Sequence, residues 1–252
     1  MLVEAKDIGD GVRILTLNRP PANAISREFN EALYDRCREA SENPAVRAVI
    51  VTGINKFFSG GLDIKEQASG KSRVGVLGSE QRDGVFALWT LPKPTVAMVN
   101  GHAIAGGLII MLACDFRIAA RGTARFGANE VAIGLPLPIV PVEIARLALG
   151  TERLRHCLLE AETCDAERAF ELGYCDELVA PEELEARCVA QARKLAKLGQ
   201  LAYAEVKRLI QFQALERVRN VAQDEMKAWA RVASAPESVA LLEAQVRSIS
   251  KK

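Results

Sequence analysis

The sequence predicts an α/β fold, a largely parallel and helix-covered sheet followed by a helical C-terminal region. Three observations carry this. Runs rich in β-branched residues recur at Val12–Leu17, residues 48–52 and Thr95–Val99, each followed by a turn-former and then a helical pattern. That alternation favours a largely parallel sheet with right-handed crossovers. From about Ile139 onward strand signals nearly vanish, and Leu, Ala, Glu and Arg dominate.

The first helix is predicted over residues 26–41, opened by Ser26 as N-cap, with Phe29, Leu33, Cys37 and Ala40 on one face. Short strands at residues 116–119 and 124–126 are expected to close the first layer. In the helical region Asp165 and Ser234 read as N-caps, the latter with Glu237 three residues on as a capping box. Gly173 reads as a stop after residues 170–172, and Glu177–Val179 as a possible return to the sheet. The polar, glycine-rich residues 70–78 suit a loop near a site.

Composition narrows the function. With 252 residues, 49% hydrophobic and 26% charged, the chain is long and apolar enough for a sizeable core. Thirty-three basic against 32 acidic residues give no electrostatic drive toward nucleic acid or anionic lipid. Six cysteines occur without a C-x-x-C pair, so no zinc cluster or dithiol redox site is spelled out, and a reducing, cytoplasmic setting is expected. Two histidines, His102 and His156, cannot build a multi-histidine metal centre. A turn or packing role is expected for the first and a helix-surface position for the second. Trp89 and Trp229 read as core or interface anchors. The N-terminal residues do not read as a secretory signal, and no apolar run approaches the roughly 20 residues of a membrane span.

One design occurs twice. After Val51-Thr52 the chain reads Gly53-Ile-Asn-Lys-Phe-Phe-Ser-Gly60-Gly61-Leu62-Asp63; after Val99 it reads Asn100-Gly101-His-Ala-Ile-Ala105-Gly106-Gly107-Leu108. Both are strand, glycine turn, then Gly-Gly-Leu opening a helix. Such a step lets backbones approach closely and leaves the first N–H groups of the helix unpaired. Two such corners on neighbouring strands can aim one N–H each at a single oxygen, which is an oxyanion hole. The alternative is that the glycine pairs serve only tight turns and close packing. Neither corner matches a nucleotide phosphate loop.

Five segments, in order, resemble the crotonase, or enoyl-CoA hydratase/isomerase, superfamily: Asn18-Arg19-Pro20 with Asn23-Ala24, FFSGGLDIKE, NGHAIAGGLIIMLACDFRI, FGANEVAIGL, and Ala-Phe-Glu-Leu-Gly-Tyr-Cys-Asp-Glu-Leu-Val. The resemblance implies a spiral of ββα units over residues 1–195 and a helical trimerisation region over 196–252. It implies an acyl-CoA thioester as partner, a homotrimer or dimer of trimers, and no cofactor beyond the coenzyme A of the substrate. By position it puts the oxyanion N–H groups on Leu62 and Gly106, within a substrate-binding set that includes Gly60, Gly61, Asp63, Ile64 and Lys65. Ala22 and Ala24 fall where the family's backbone lines the adenine pocket.

Two family positions carry acids in hydratases. Here they are Ile109 and Glu130, so one carboxylate remains, with Asn129 before it. This pattern is most similar to the Δ3,Δ2-enoyl-CoA isomerase branch, in which one glutamate shuttles a proton between two carbons. Another enzyme of the family, a hydratase, lyase or decarboxylase, and a non-catalytic acyl-CoA-binding member are the alternatives. Residues 134–141, with Pro136, Pro138 and Pro141, are expected to form a stiff wall of the acyl pocket.

Overall fold

The computed structural model describes residues 1–68 and 82–250. Residues 70–78, expected as a loop near the site, lie outside the described residues. The elements follow in the order β1 (Val3–Asp7), β2 (Val12–Leu17), α1 (Arg27–Glu42), β3 (Ala48–Gly53), β4 (Phe57–Ser59), α2 (Ile64–Ala68) and α3 (Gly84–Trp89). Next come β5 (Thr95–Val99), β6 (His102–Ile104), α4 (Gly106–Leu112), β7 (Phe116–Ala120), β8 (Phe126–Gly127), α5 (Ile139–Leu158) and α6 (Ala166–Glu171). The chain continues through β9 (Glu177–Val179), α7 (Leu184–Ala196), α8 (Gln200–Ala233) and α9 (Pro236–Ser250). The expected boundary between residues 195 and 196 falls within the last turn of α7.

Two sheets organise these elements. The larger has the order β1-β2-β3-β5-β7-β9, and only its β1–β2 pair is antiparallel. The smaller, β4-β6-β8, is parallel. Each long strand β3, β5 and β7 is followed by a short strand of the small sheet and then by a helix, which is a repeated ββα path. Phe126 therefore pairs with Ala103 in the small sheet instead of closing the large one as expected. Its strand begins at Phe126 because Ala124 and Arg125 precede the paired register.

Strand alternation sends side chains to two cores. Val49, Val51, Ala97, Val99 and Ala119 enter the main one with α1 and α4. Ala48, Ile50, Val96, Met98 and Ile118 pack instead against α7 through Leu184, Cys188 and Ala192. Burial on both faces explains why the central strands read as continuous apolar runs.

Helix ends follow local chemistry. The Ser26 hydroxyl accepts from the Phe29 N–H, and Phe29, Leu33, Cys37 and Ala40 are the buried face of α1. Asp165 caps α6 by accepting from Arg168 N–H, and Gly173 adopts φ +75° just beyond its end. Ser234 is a correction. It ends α8 instead of opening α9, and its hydroxyl donates to the Arg231 carbonyl. The reason is Pro236, which has no N–H to be capped and a φ suited to the first helical position, so α9 starts there, with the Ala235 carbonyl taking its first bond. All six cysteines are free thiols, five of them buried. Among the described residues no helix is long and apolar enough to cross a membrane.

Candidate active site

The three short parallel strands of the small sheet end side by side, and each end carries one part of the site. Gly60 follows β4, Ala105 follows β6, and Ala128 with Asn129 and Glu130 follows β8. Pairing of Phe57 with His102 and of Ala103 with Phe126 sets them in register. Residues far apart in sequence, Leu62, Gly106 and Glu130, thereby line one cavity.

The two glycine corners touch. A Cβ on Gly61, at φ +82°, would lie 2.6 Å from the Ala105 Cβ and 2.9 Å from the Gly106 nitrogen. One on Gly107 would lie 2.1 Å from the Ser59 carbonyl oxygen. These glycines therefore provide close packing, and the N–H groups that the packing presents are also left over. The first corner is tied into a parallel bridge by Ile25 N–H to Gly61 O at 2.8 Å and Asp63 N–H to Ile25 O at 3.0 Å, a pattern that skips the Leu62 N–H. Gly106 opens α4 and has no earlier turn to donate to. Neither N–H has an acceptor among the described residues. Ala105 holds φ +53° and ψ −131°, a region costly for a residue with a side chain, and this backbone twist turns the chain into α4.

A buried network holds the first corner. Asn23, fully buried, donates to the Phe57 carbonyl at 2.8 Å, and its own carbonyl accepts from the Ser59 hydroxyl at 2.8 Å. Ser59 in turn accepts from the Gly61 N–H. Ala22 accepts from the Gly60 N–H at 2.7 Å, and Ala24 accepts from the Arg19 guanidinium. Asp63 caps α2 by accepting from Lys65 and Glu66 N–H groups and pairs with Arg19 at 2.7 Å. Burial raises the Asp63 carboxyl, but Arg19 and the two N–H groups outweigh it and hold it below the ordinary carboxylate range. Lys65 is exposed on α2, with Ile64 half-buried beside it.

Among the described residues Glu130 is the titratable side chain of the cavity. It is 5% exposed, and burial pushes its carboxyl up to about 7, only partly offset by its own backbone N–H. Its Oε2 is buried without a hydrogen-bond partner. Ile109, fully buried on α4, lines the same cavity. The opposite wall is the proline segment with Pro136, Pro138 and Pro141, completed by Trp229. Trp229, expected as a core or interface anchor, is half-buried and not in the core; its indole from α8 lines the cavity and donates to the Pro136 carbonyl at 2.8 Å. Half-buried Asn129, and the first-corner residues other than Leu62, do not line it. Nor does His102, whose ring accepts from the Arg125 N–H and packs on Phe57, nor His156, paired with Glu160 on the helix surface.

Two unpaired N–H groups beside a carboxylate titrating near neutrality can stabilise an enolate and move a proton to and from carbon. Comparisons with known proteins give the family. Residues 7–240 match the family model described as enoyl-CoA hydratase/isomerase. A probable enoyl-CoA hydratase of Mycobacterium avium is 34% identical over 192 residues, covering 73% of this chain and 72% of the relative. An enoyl-CoA hydratase/isomerase structure from Pseudoalteromonas atlantica superimposes with a TM-score of 0.82 at 25% identity over 98% of both chains. A Mycobacterium tuberculosis protein described as an enoyl-CoA isomerase does so with 0.80 at 29% identity, over 90% of this chain and 98% of that one. The chain belongs to the enoyl-CoA hydratase/isomerase family of the crotonase superfamily.

Proposed function

We propose that this acyl-CoA enzyme is an isomerase that moves the double bond of a 3-enoyl thioester to the 2-trans position. The observation that carries the reading is the cavity wall: among the described residues Glu130 is its one carboxylate and buried Ile109 lines it too, at the position where the family resemblance puts the second acid of a hydratase.

In this reading the thioester oxygen accepts from the N–H groups of Leu62 and Gly106. The Glu130 carboxylate takes a proton from C2, and the C–H electron pair delocalises through the C3–C4 double bond and onto the thioester oxygen as a dienolate. Protonated Glu130 then returns the same proton to C4, leaving the double bond between C2 and C3. No water is consumed and nothing is oxidised. Each N–H donor contributes roughly 10²–10³ in rate, and a carboxyl near 7 is suited to both halves of the shuttle.

The second reading is hydration of a 2-trans-enoyl thioester, favoured by the name of the Mycobacterium avium relative. Purified protein given a 3-enoyl-CoA and, separately, a 2-trans-enoyl-CoA in water separates the two. Conversion of the first with negligible hydration of the second supports the isomerase; brisk hydration overturns it.

The family resemblance also suggests a homotrimer or dimer of trimers. A groove of about 340 Å3 between α5 and α8, flanked by exposed Leu147, Val206 and Ile210, supports self-association on that face. Light scattering on the purified protein measures the assembly directly, and a monomer removes this part of the reading.

A further inference from the structure

Among the described residues the cavity beside Glu130 holds about 20 Å3, room for roughly one water. Some part of its wall must therefore yield to substrate, and the parts differ in what they allow. Ile109 is sealed within α4, which is buried along its whole length. The proline segment is stiff, because three rings fix their own φ. It is also pinned from behind, since a Cβ on Gly134 would lie 2.7 Å from the Ser238 Cα of α9.

Trp229 is different. It is the largest side chain of the wall, it comes from a separate element, and the structure gives its polar atom one neutral hydrogen bond, to the Pro136 carbonyl. Removing the indole would cost that one bond and leave Ile109 and the proline segment in place. With Ile109 sealed in α4 and the proline segment pinned, the space the indole occupies is what a longer acyl group would need.

We propose that Trp229 is a specificity-determining residue, whose indole closes the acyl part of the cavity and limits the enzyme to short acyl groups. The inference rests on the acyl-CoA reading of the site but not on isomerisation.

Calorimetric binding of butyryl-, octanoyl- and dodecanoyl-CoA to the wild type, Trp229→Ala and Trp229→Phe tests it, since these saturated esters do not react. The wild type is expected to lose affinity as the chain lengthens. Trp229→Ala should raise dodecanoyl-CoA affinity relative to butyryl-CoA by at least about tenfold, the scale of discrimination an apolar pocket achieves. Trp229→Phe, which keeps an aromatic ring but not the N–H, should keep the wild-type order. An unchanged profile in folded Trp229→Ala overturns the proposal. So does a phenylalanine variant that behaves like the alanine one, because the hydrogen bond and not the bulk would then set the limit. If the alanine variant does not fold, Trp229→Leu carries the same expectation. Absence of acyl-CoA binding to the wild type would sink both the inference and the acyl-CoA reading. The expected binding profile without turnover of 3-enoyl-CoA would sink isomerisation alone.

Discussion

The two sides of the cavity are built by opposite means. The side with Leu62 and Gly106 is backbone, held by contacts so close that Gly61 and Gly107 have no room for a methyl group. The side with Pro136, Pro138 and Trp229 is apolar wall, closed by a side chain on one hydrogen bond. The first has almost no freedom to vary without moving the donors, whereas in the second the side chain at position 229 can be varied without touching them. On the proposed reading, reaction type and acyl selectivity are thus separable in this fold, with Glu130 and Ile109 at the seam between them.

The sharpest break of that division is Glu130→Gln, which keeps the shape and removes the base. Turnover is expected to fall by roughly 10²–10⁴, while acyl-CoA affinity measured by calorimetry stays near wild type. In the wild type, the pH profile of kcat/KM should lose half its plateau near pH 7 and fall further as pH drops, because the base must be unprotonated. Retained activity in the variant would assign the proton transfer elsewhere.

Gly61→Ala attacks the backbone side. Its Cβ would meet Ala105 and the Gly106 nitrogen at a left-handed φ, so both donors must shift. A loss of roughly 10²–10³ in kcat is expected, the worth of one oxyanion donor, with Glu130 still titrating near 7. A mild effect would show that the corners tolerate movement and that the contrast between the two sides is weaker than stated.

Glu130 also makes the folded protein less stable than it could be. Its folded pKa is raised above the ordinary 4.5 to about 7, so the folded state binds more protons than the unfolded one between those values. Stability therefore declines as pH rises from about 4.5 to 7 and stays reduced above, by on the order of 3 kcal/mol for a shift of this size. Glu130→Gln should accordingly unfold at a higher temperature than wild type at pH 8, with the difference shrinking toward pH 4.5. Thermal unfolding at the two pH values checks this.

Ile109→Glu probes the seam with the smallest effect. Burying a carboxyl without a partner costs roughly 1–3 kcal/mol, so the melting temperature should drop, and hydration of a 2-trans-enoyl-CoA should rise above the wild-type background. A stable variant with no hydration would show that the second acid is not what separates the two reactions here.

Much of this division was legible in the sequence. Repeated Gly-Gly-Leu corners pointed to paired N–H donors, and the prolines after Glu130 pointed to a stiff wall. Ser26 and the spacing of Phe29, Leu33, Cys37 and Ala40 placed α1. The small sheet was not legible, because β4, β6 and β8 are three, three and two residues long, too short for a period of two to register. Without it, the reason the corners converge was hidden. Trp229 escaped for a different reason. It lies 99 positions after Glu130 in a long, polar helix, and only the path of α8 across the proline segment brings it to the cavity. Ser234 misled because a favourable cap residue stood two positions before a proline that decided where the helix began.

Because the proposed oxyanion donors are main-chain N–H groups, truncating the Leu62 side chain leaves its donor in place. The names Leu62 and Gly106 tell the experimenter nothing about the atoms that matter. Replacing either amide by an ester through chemical ligation deletes the donor and keeps the side chain. For directed evolution the same fact is an advantage. Libraries at positions 109, 130 and 229 can vary the reaction and the acyl group while the two donors, encoded by the path of the chain, persist through every substitution that preserves the corners.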